Sequence, residues 1–84
     1  MRNNQIPPAE MNRKALGREL QRRRLTAKMS QGQLGAAAGI HRNSVMRYEQ
    51  GLTMPPVMVF YQLCTALGVR CEDVLGKAME EGKQ

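Results

Sequence analysis

Arginine and asparagine side chains lie close together in the segment His41 to Gln50. Arg42, Asn43 and Arg47 belong to it, and Asn43 and Arg47 are four residues apart. Residues at that spacing share one face of a helix. The arginine guanidinium matches the two acceptors of a guanine edge, and the asparagine amide matches adenine. If the segment is a helix with this face exposed, it has the chemistry to read DNA bases.

Two helix signals position that segment. Ser30 and Gln33 form a capping box, which predicts that a helix begins at this point. Gly39 ends this helix, and a second one is predicted from His41, a weak N-cap, to Gln50. Two helices joined by a tight turn, the second polar on its outer face, are typical of a helix that enters the DNA major groove.

The apolar residues of these two helices decide which side faces outward. We assign four of them to the core, where the two helices must touch: Leu34, Ala37, Ile40 and Val45. By elimination, four others point outward: Arg42, Asn43, Met46 and Arg47.

The rest of the chain predicts three more helices and no strand. A basic helix spans Ala9 to Lys28, a helix with a wide apolar face spans Val57 to Leu67, and a fifth begins near Glu72 and Asp73. The buried face of the fourth helix is assigned to residues 57, 59, 60, 63, 64 and 67. We expect one all-α domain over 9–79, preceded by a flexible arm 1–8 and followed by a frayed tail 80–84.

Charge is distributed unevenly along the 84 residues. The formal net charge is +6, with +7 in residues 1–53 and −1 in residues 54–84. This asymmetry favours a polyanionic partner, with nucleic acid first and an anionic membrane surface second. A basic face that is merely solvated is the remaining alternative.

Motifs and segments that the sequence lacks argue against several classes of protein. We find neither a membrane-spanning apolar run nor a signal peptide, so the expected location is the cytoplasm, with the nucleoid. Cys64 and Cys71 have the spacing of neither a zinc site nor a redox motif, and Cys64 is interpreted as a small buried residue. With one histidine and no nucleophile and base pair, we expect no enzyme, metal, cofactor or small-molecule substrate.

Taken together, the motifs resemble the Cro and lambda-type repressor family of phages, plasmids and bacteria. The resemblance is carried by Ser30-Gln31-x-x-Leu34 through Gly39, by Tyr48-Glu49-x-Gly51 with a following proline, and by Ala66-Leu67-Gly68-Val69 and Val74-Leu75. It extends from about Leu16 to Leu75. It implies a compact five-helix, lambda-repressor-like domain that binds double-stranded DNA.

The resemblance also implies roles for individual residues. It places five residues against bases, with a phosphate as the alternative partner for the first: Gln31, Arg42, Asn43, Met46 and Arg47. Ser44 would approach a phosphate, and the basic first helix offers three further candidate phosphate contacts, Arg22, Arg23 and Lys28. Residues matching Arg24 and Glu49 form an ion pair in the family. Gly35, where alanine is usual, costs up to ~1 kcal/mol unless close packing requires it.

Two further positions depart from the family pattern. His41 replaces a serine or threonine cap, and Cys71 replaces a hydroxyl or an acid. These departures concern local stability more than function.

One recognition helix reads only a few base pairs, so we expect a homodimer on a twofold-symmetric operator. The candidate dimer residues are Val69, Val74, Leu75 and Met79. The expected activity is sequence-specific transcriptional regulation, as a repressor rather than an activator. The alternative is a protein-interaction module, such as an antitoxin or adaptor subunit, that keeps the fold without reading DNA.

Overall fold

Five α-helices account for most of residues 9–82, the part of the chain that our computed structural model describes. They are α1 (Ala9–Thr26), α2 (Gln31–Ala38), α3 (Arg42–Glu49), α4 (Val57–Leu67) and α5 (Cys71–Gly82). Residues 9–82 contain no strand, which confirms the all-α fold. None of the described helices is long and apolar enough to cross a membrane. The predicted arm 1–8 lies outside the described residues.

The short helix α2 begins and ends at the predicted residues. The Ser30 hydroxyl accepts from the Gln33 backbone N–H at 3.0 Å, and the Gln33 side chain accepts from the Ser30 N–H at 2.8 Å. Gly39 ends the helix in the left-handed conformation, with φ of 77°. Helix α3 begins where His41 Nδ1 accepts from the Asn43 N–H at 3.0 Å. The turn between α2 and α3 is therefore as short as the sequence indicates.

Two helix ends differ from the sequence prediction. Helix α1 ends at Thr26 rather than Lys28, because Lys28 itself adopts a left-handed conformation with φ of 61°. Helix α5 continues to Gly82, so Glu80 and Glu81 are helical where we expected fraying. Ion pairs from Glu81 to Arg18 and Arg22 of α1 hold the end of α5 in place. Residues 83 and 84 lie outside the described residues.

The helices pack in a chain of pairwise contacts. Helix α1 packs against α5 and α3, and α2 packs against α3 and α4. Most of the buried side chains are aliphatic, and the largest of the fully buried ones include Leu20, Leu34, Leu63, Val45 and Val74. This packing fixes α3 through its contacts with both α1 and α2.

One residue was assigned to the wrong side of α2. Ala37 is exposed and the next residue, Ala38, is buried, so the assignment of Ala37 to the core is wrong. Leu34 and Ala38 are one helical turn apart and face the core together, whereas Ala37 lies about 100° around the helix from Ala38. Leu34 and Val45 are buried as expected, and Ile40 packs against the core.

Candidate nucleic-acid interface

A buried ion pair holds the end of α3 against α1. The Arg24 guanidinium donates to both carboxylate oxygens of Glu49, with Nε–Oε2 at 2.7 Å and Nη2–Oε1 at 3.0 Å. Both residues are less than a tenth exposed. The predicted pairing of Arg24 with Glu49 is therefore present in the structure, in the two-pronged geometry that gives an arginine–carboxylate pair its directionality.

Two further hydrogen bonds extend this pair to the start of α2. Arg24 Nη1 donates to the Met29 carbonyl at 2.9 Å, and Gln31 Nε2 donates to Glu49 Oε1 at 3.0 Å. The Gln31 amide is thereby oriented by α3 and keeps its own oxygen and its second N–H for another partner. One carboxylate, Glu49, thus connects the first three helices.

Glycine allows the closest backbone contacts around α3. A Cβ at Gly17 of α1 would lie 2.5 Å from the carbonyl oxygens of Tyr48 and Glu49. At Gly35 of α2 it would lie 2.7 Å from the Ile40 carbonyl oxygen. Both distances are shorter than carbon–oxygen contacts allow, so the glycine at position 35 is required by close packing. Its departure from the usual alanine is thereby explained.

The opposite face of α3 is exposed and carries the predicted base-reading residues. Val45 and Glu49 face the core, whereas Arg42, Asn43 and Arg47 are exposed and Met46 is half-buried. A surface groove runs between this face and the start of α2, lined by Ser30, Gln31, Gly32, Arg42, Asn43 and Met46. Four of the five predicted base-contacting residues therefore meet in one groove.

The remaining members of the predicted site lie around this groove. Arg47 is exposed one turn beyond Asn43, and Ser44 is half-buried. Lys28 is exposed in the loop that leads into α2. These positions leave the hydrogen-bonding groups of Arg42, Asn43 and Arg47 directed away from the core, as a helix that reads bases requires.

Arg22 and Arg23 lie in a different setting, because they flank a buried acid. Glu19 of α1 is 1% exposed, with Arg23 Nε 2.7 Å from its Oε2 and Arg22 bonded to its Oε1. Arg22 also faces Glu81 of α5, with Nη2–Oε1 at 3.5 Å. The structure therefore does not bring Arg22 together with the groove. The role of both arginines as phosphate contacts stays a prediction, and their carboxylate partners compete with it.

Sequence reasoning missed these acidic partners. Glu19 stands three residues before Arg22 and four before Arg23, a spacing that favours ion pairs on a helix, so the signal for them was present. The contact of Glu81 with α1 has no local signal, because 63 positions separate it from Arg18.

The predicted dimer residues are only partly available at the surface. Val74 is fully buried within one chain, so its side chain cannot contact a second copy and this part of the prediction is wrong. Val69 and Met79 are half-buried against the core, and Leu75 is exposed. Residues on α5 that face α1 were indistinguishable by sequence from residues that face solvent.

Comparison with known proteins agrees with this geometry. A family model described as a helix-turn-helix domain matches residues 15–75. The chain belongs to the helix-turn-helix domain family. The helix-turn-helix domain predicted from the sequence motifs is thereby confirmed. No curated protein matched the chain in sequence.

Solved structures with the same fold include transcription regulators. Two crystal structures of the clp gene regulator ClgR from Corynebacterium glutamicum are 25% and 26% identical to this chain, with TM-scores of 0.82 and 0.79. The alignments cover 86% and 83% of this chain and 77% and 91% of those chains. A hypothetical transcription factor, NHTF, from Neisseria shares the fold at 22% identity, with a TM-score of 0.76 over 99% of this chain and 93% of that chain.

Proposed function

We propose that this helix-turn-helix domain is a sequence-specific DNA-binding regulator of transcription, with α3 as its recognition helix. The observation that carries the proposal is the outer face of α3. Arg42, Asn43 and Arg47 are exposed there, while the opposite face is fixed by Val45 and by the buried pair of Glu49 with Arg24. Exposed base-reading groups on a rigidly held helix suit the major groove, which is wide enough to admit an α-helix.

Charge and similarity support the same function. The half of the chain that contains α3 has a net charge of +7, which favours association with the phosphate backbone of DNA. ClgR, whose fold the chain shares, is a gene regulator. We assign the activity to repression through an operator that overlaps a promoter, because a protein bound there excludes the polymerase.

The proposed contacts divide into base-reading and phosphate-binding groups. Bases are read by Gln31, Arg42, Asn43, Met46 and Arg47, of which Gln31 uses the amide groups that Glu49 leaves free. Phosphates are bound by Ser44 and Lys28 beside the groove. Arg22 and Arg23 bind a phosphate only where it displaces one of the carboxylates with which they are paired. A protein that makes these contacts acts on DNA, so the location that we propose is the cytoplasm, on the nucleoid.

A homodimer completes the proposal, because a single helix of eight residues spans few base pairs. Two copies related by a twofold axis present their recognition helices about 34 Å apart, one turn of DNA. The expected operator is therefore an inverted repeat with that spacing between half-site centres. Selection of bound duplexes from a random pool tests this expectation.

Two arginine variants test the recognition face against a matched loss of charge. Arg47→Ala should weaken binding to the selected duplex by ~1 to 3 kcal/mol and binding to a scrambled duplex much less. Arg22→Ala removes the same charge from the α5 side of α1 and should affect both duplexes equally. Binding isotherms over a series of salt concentrations measure both effects.

Two results would contradict the proposal in different ways. Equal losses on both duplexes for Arg47→Ala would mean that α3 does not present this face to bases. A random pool that yields no enriched sequence, with all binding lost at moderate salt, would identify a protein-interaction module that keeps the fold.

A further inference from the structure

An apolar patch lies on the surface where α4 begins beside the first turns of α5. We call it the α4–α5 patch; its lining residues are Val57, Met58, Phe60, Tyr61, Cys71 and Leu75. Val57 is 78% exposed, Met58 64% and Tyr61 57%. Single exposed apolar residues are ordinary on soluble proteins, whereas several that adjoin one another make a candidate interaction site.

Helix α4 has two apolar faces rather than the single wide one expected from the sequence. Phe60, Leu63, Cys64 and Leu67 face the core, whereas Val57, Met58 and Tyr61 face solvent. The assignment of Val57 to the buried face is therefore wrong. Tyr61 comes four residues after Val57 and three after Met58, so its side chain adjoins both on the outer side of the helix.

We propose that the α4–α5 patch is the contact between two copies of this chain. This assignment rests on the proposed function, which requires two recognition helices. Each copy contributes the same patch in a twofold arrangement. Of the dimer residues expected from the sequence, Leu75 is the one that belongs to the patch.

Charge favours a second copy as the occupant. None of the lining residues carries a charge, and residues 54–84 have a net charge of −1 in a chain of +6. At the border, Arg70 pairs with Glu72, with Nε–Oε2 at 2.9 Å. Two strongly basic chains therefore approach each other with least repulsion through this half, which leaves their basic halves to DNA. An acidic partner would instead favour the basic half.

The relief of the patch is also suited to contact with itself. Exposed Val57, Met58, Tyr61 and Leu75 line a surface depression together with buried Phe60 and half-buried Cys71. In a twofold contact each copy offers both exposed side chains and a depression, so side chains of one copy can fill the depression of the other. A stable interface buries about 800 Å² per partner, of which these side chains form the apolar centre.

The test compares patch variants with a matched exposed residue elsewhere. We use the full chain with Met58→Glu, Tyr61→Asp and, as the control, Leu25→Glu on α1, where Leu25 is 59% exposed. Because all three residues are exposed, circular dichroism should show native folding in each variant. Sedimentation equilibrium should show a wild-type dimer, a dimer dissociation constant raised at least ~10-fold in both patch variants, and no change in the control.

The fluorescence anisotropy of two labelled duplexes distinguishes a failure of the dimer contact from a failure of the proposed DNA binding. One duplex carries the selected inverted repeat, and the other carries one half-site. Patch variants should bind the half-site like the wild type, and should lose affinity and cooperativity on the inverted repeat. A dimeric wild type for which the random pool yields no bound duplex would overturn the DNA-binding function while the dimer stands.

Thiol labelling provides a second measure of the same contact. Burial raises the pKa of the Cys64 thiol to about 12, with a further contribution from Cys71, so Cys64 stays protonated and labels slowly near neutral pH. Cys71 lines the patch and is half-buried. Its labelling rate should fall as the protein concentration rises in the wild type, and should be independent of concentration in Met58→Glu.

Three results would overturn the assignment. The first is a wild type that stays monomeric at all concentrations and on the inverted repeat. The second is a dimer that Met58→Glu and Tyr61→Asp leave intact. The third is a dimer that Leu25→Glu weakens as much as the patch variants do. The first would indicate that another molecule covers the patch, and the second that the copies meet elsewhere.

Discussion

At the scale of single residues, one buried carboxylate has the largest influence on the candidate site. Glu49 accepts hydrogen bonds from Arg24 and Gln31, and it lies on α3 opposite the base-reading face. A buried charge is costly unless it is paired and hydrogen-bonded, so each partner depends on the others. The orientation of the recognition helix is consequently coupled to a residue that does not contact DNA in our proposal.

We expect Glu49→Ala to lower the free energy of unfolding by about 3 kcal/mol, because it leaves the Arg24 guanidinium buried without its carboxylate. Gln31→Ala removes one hydrogen bond and should cost about 1 kcal/mol. Urea unfolding of Glu49→Ala, Arg24→Ala and the double variant measures the coupling between the pair. Strictly additive losses would show that the two residues act independently.

At the scale of the helix, the ends are set by the residue that turns left-handed after the last turn. Gly39 and Gly68 do so after α2 and α4, and Lys28 does so after α1. The N–H of Lys28 bonds to the Leu25 carbonyl at 3.0 Å, and the N–H of Met29 bonds to the Arg24 carbonyl at 3.2 Å. Helix α1 therefore ends with the same hydrogen-bond pattern as the helices that end in glycine. In α1 this pattern requires a φ that is unfavourable for lysine.

Lys28→Gly should therefore raise the free energy of unfolding by about 1 kcal/mol, because glycine adopts positive φ without steric penalty. Lys28→Ala is the matched control, since it removes the same charge but keeps a Cβ at this conformation. The denaturant midpoint of both variants measures the difference. Equal midpoints would show that Lys28 stores no backbone strain.

At the scale of the whole molecule, α3 is held by backbone contacts as well as by side chains. Gly17 lets α1 approach the last turn of α3. Gly35 lets α2 approach the connection that leads into α3, at Ile40 and Arg42. Protein interiors are packed too densely to absorb an added methyl group where backbone atoms already touch. The distance between α1 and α3 therefore depends on one missing side chain.

Gly17→Ala should lower the free energy of unfolding by ~1 to 3 kcal/mol through overpacking against the Glu49 and Tyr48 carbonyls. Gly76→Ala on α5 is the control, since its Cβ would meet no atom within 4 Å. It should raise the free energy of unfolding by ~0.5 to 1 kcal/mol. Thermal unfolding compares the two. An increase in stability in both variants would show that α1 and α3 leave room for a methyl group at position 17.

The sequence by itself determined the local structure of the site. The capping box at Ser30, the glycine at 39 and the apolar spacing of Leu34 and Val45 all act within a few residues. Hydrogen bonds and φ preferences at that range do not depend on the rest of the chain, so α2, α3 and the outward face of α3 could be predicted. Arg24 and Glu49 were paired through the family resemblance.

Tertiary structure alone decided which of several equivalent surfaces is buried. Val57 and Val74 are both valines on apolar helix faces, yet Val57 is exposed and Val74 is fully buried. Arg22 faces Glu81 and Arg24 faces Glu49, although the two arginines are only two residues apart. A helix offers several faces of similar polarity, and the one that is covered depends on neighbours distant in sequence. The exposed patch to which we assign the dimer contact and the surroundings of the basic residues of α1 therefore emerged only from the packed fold.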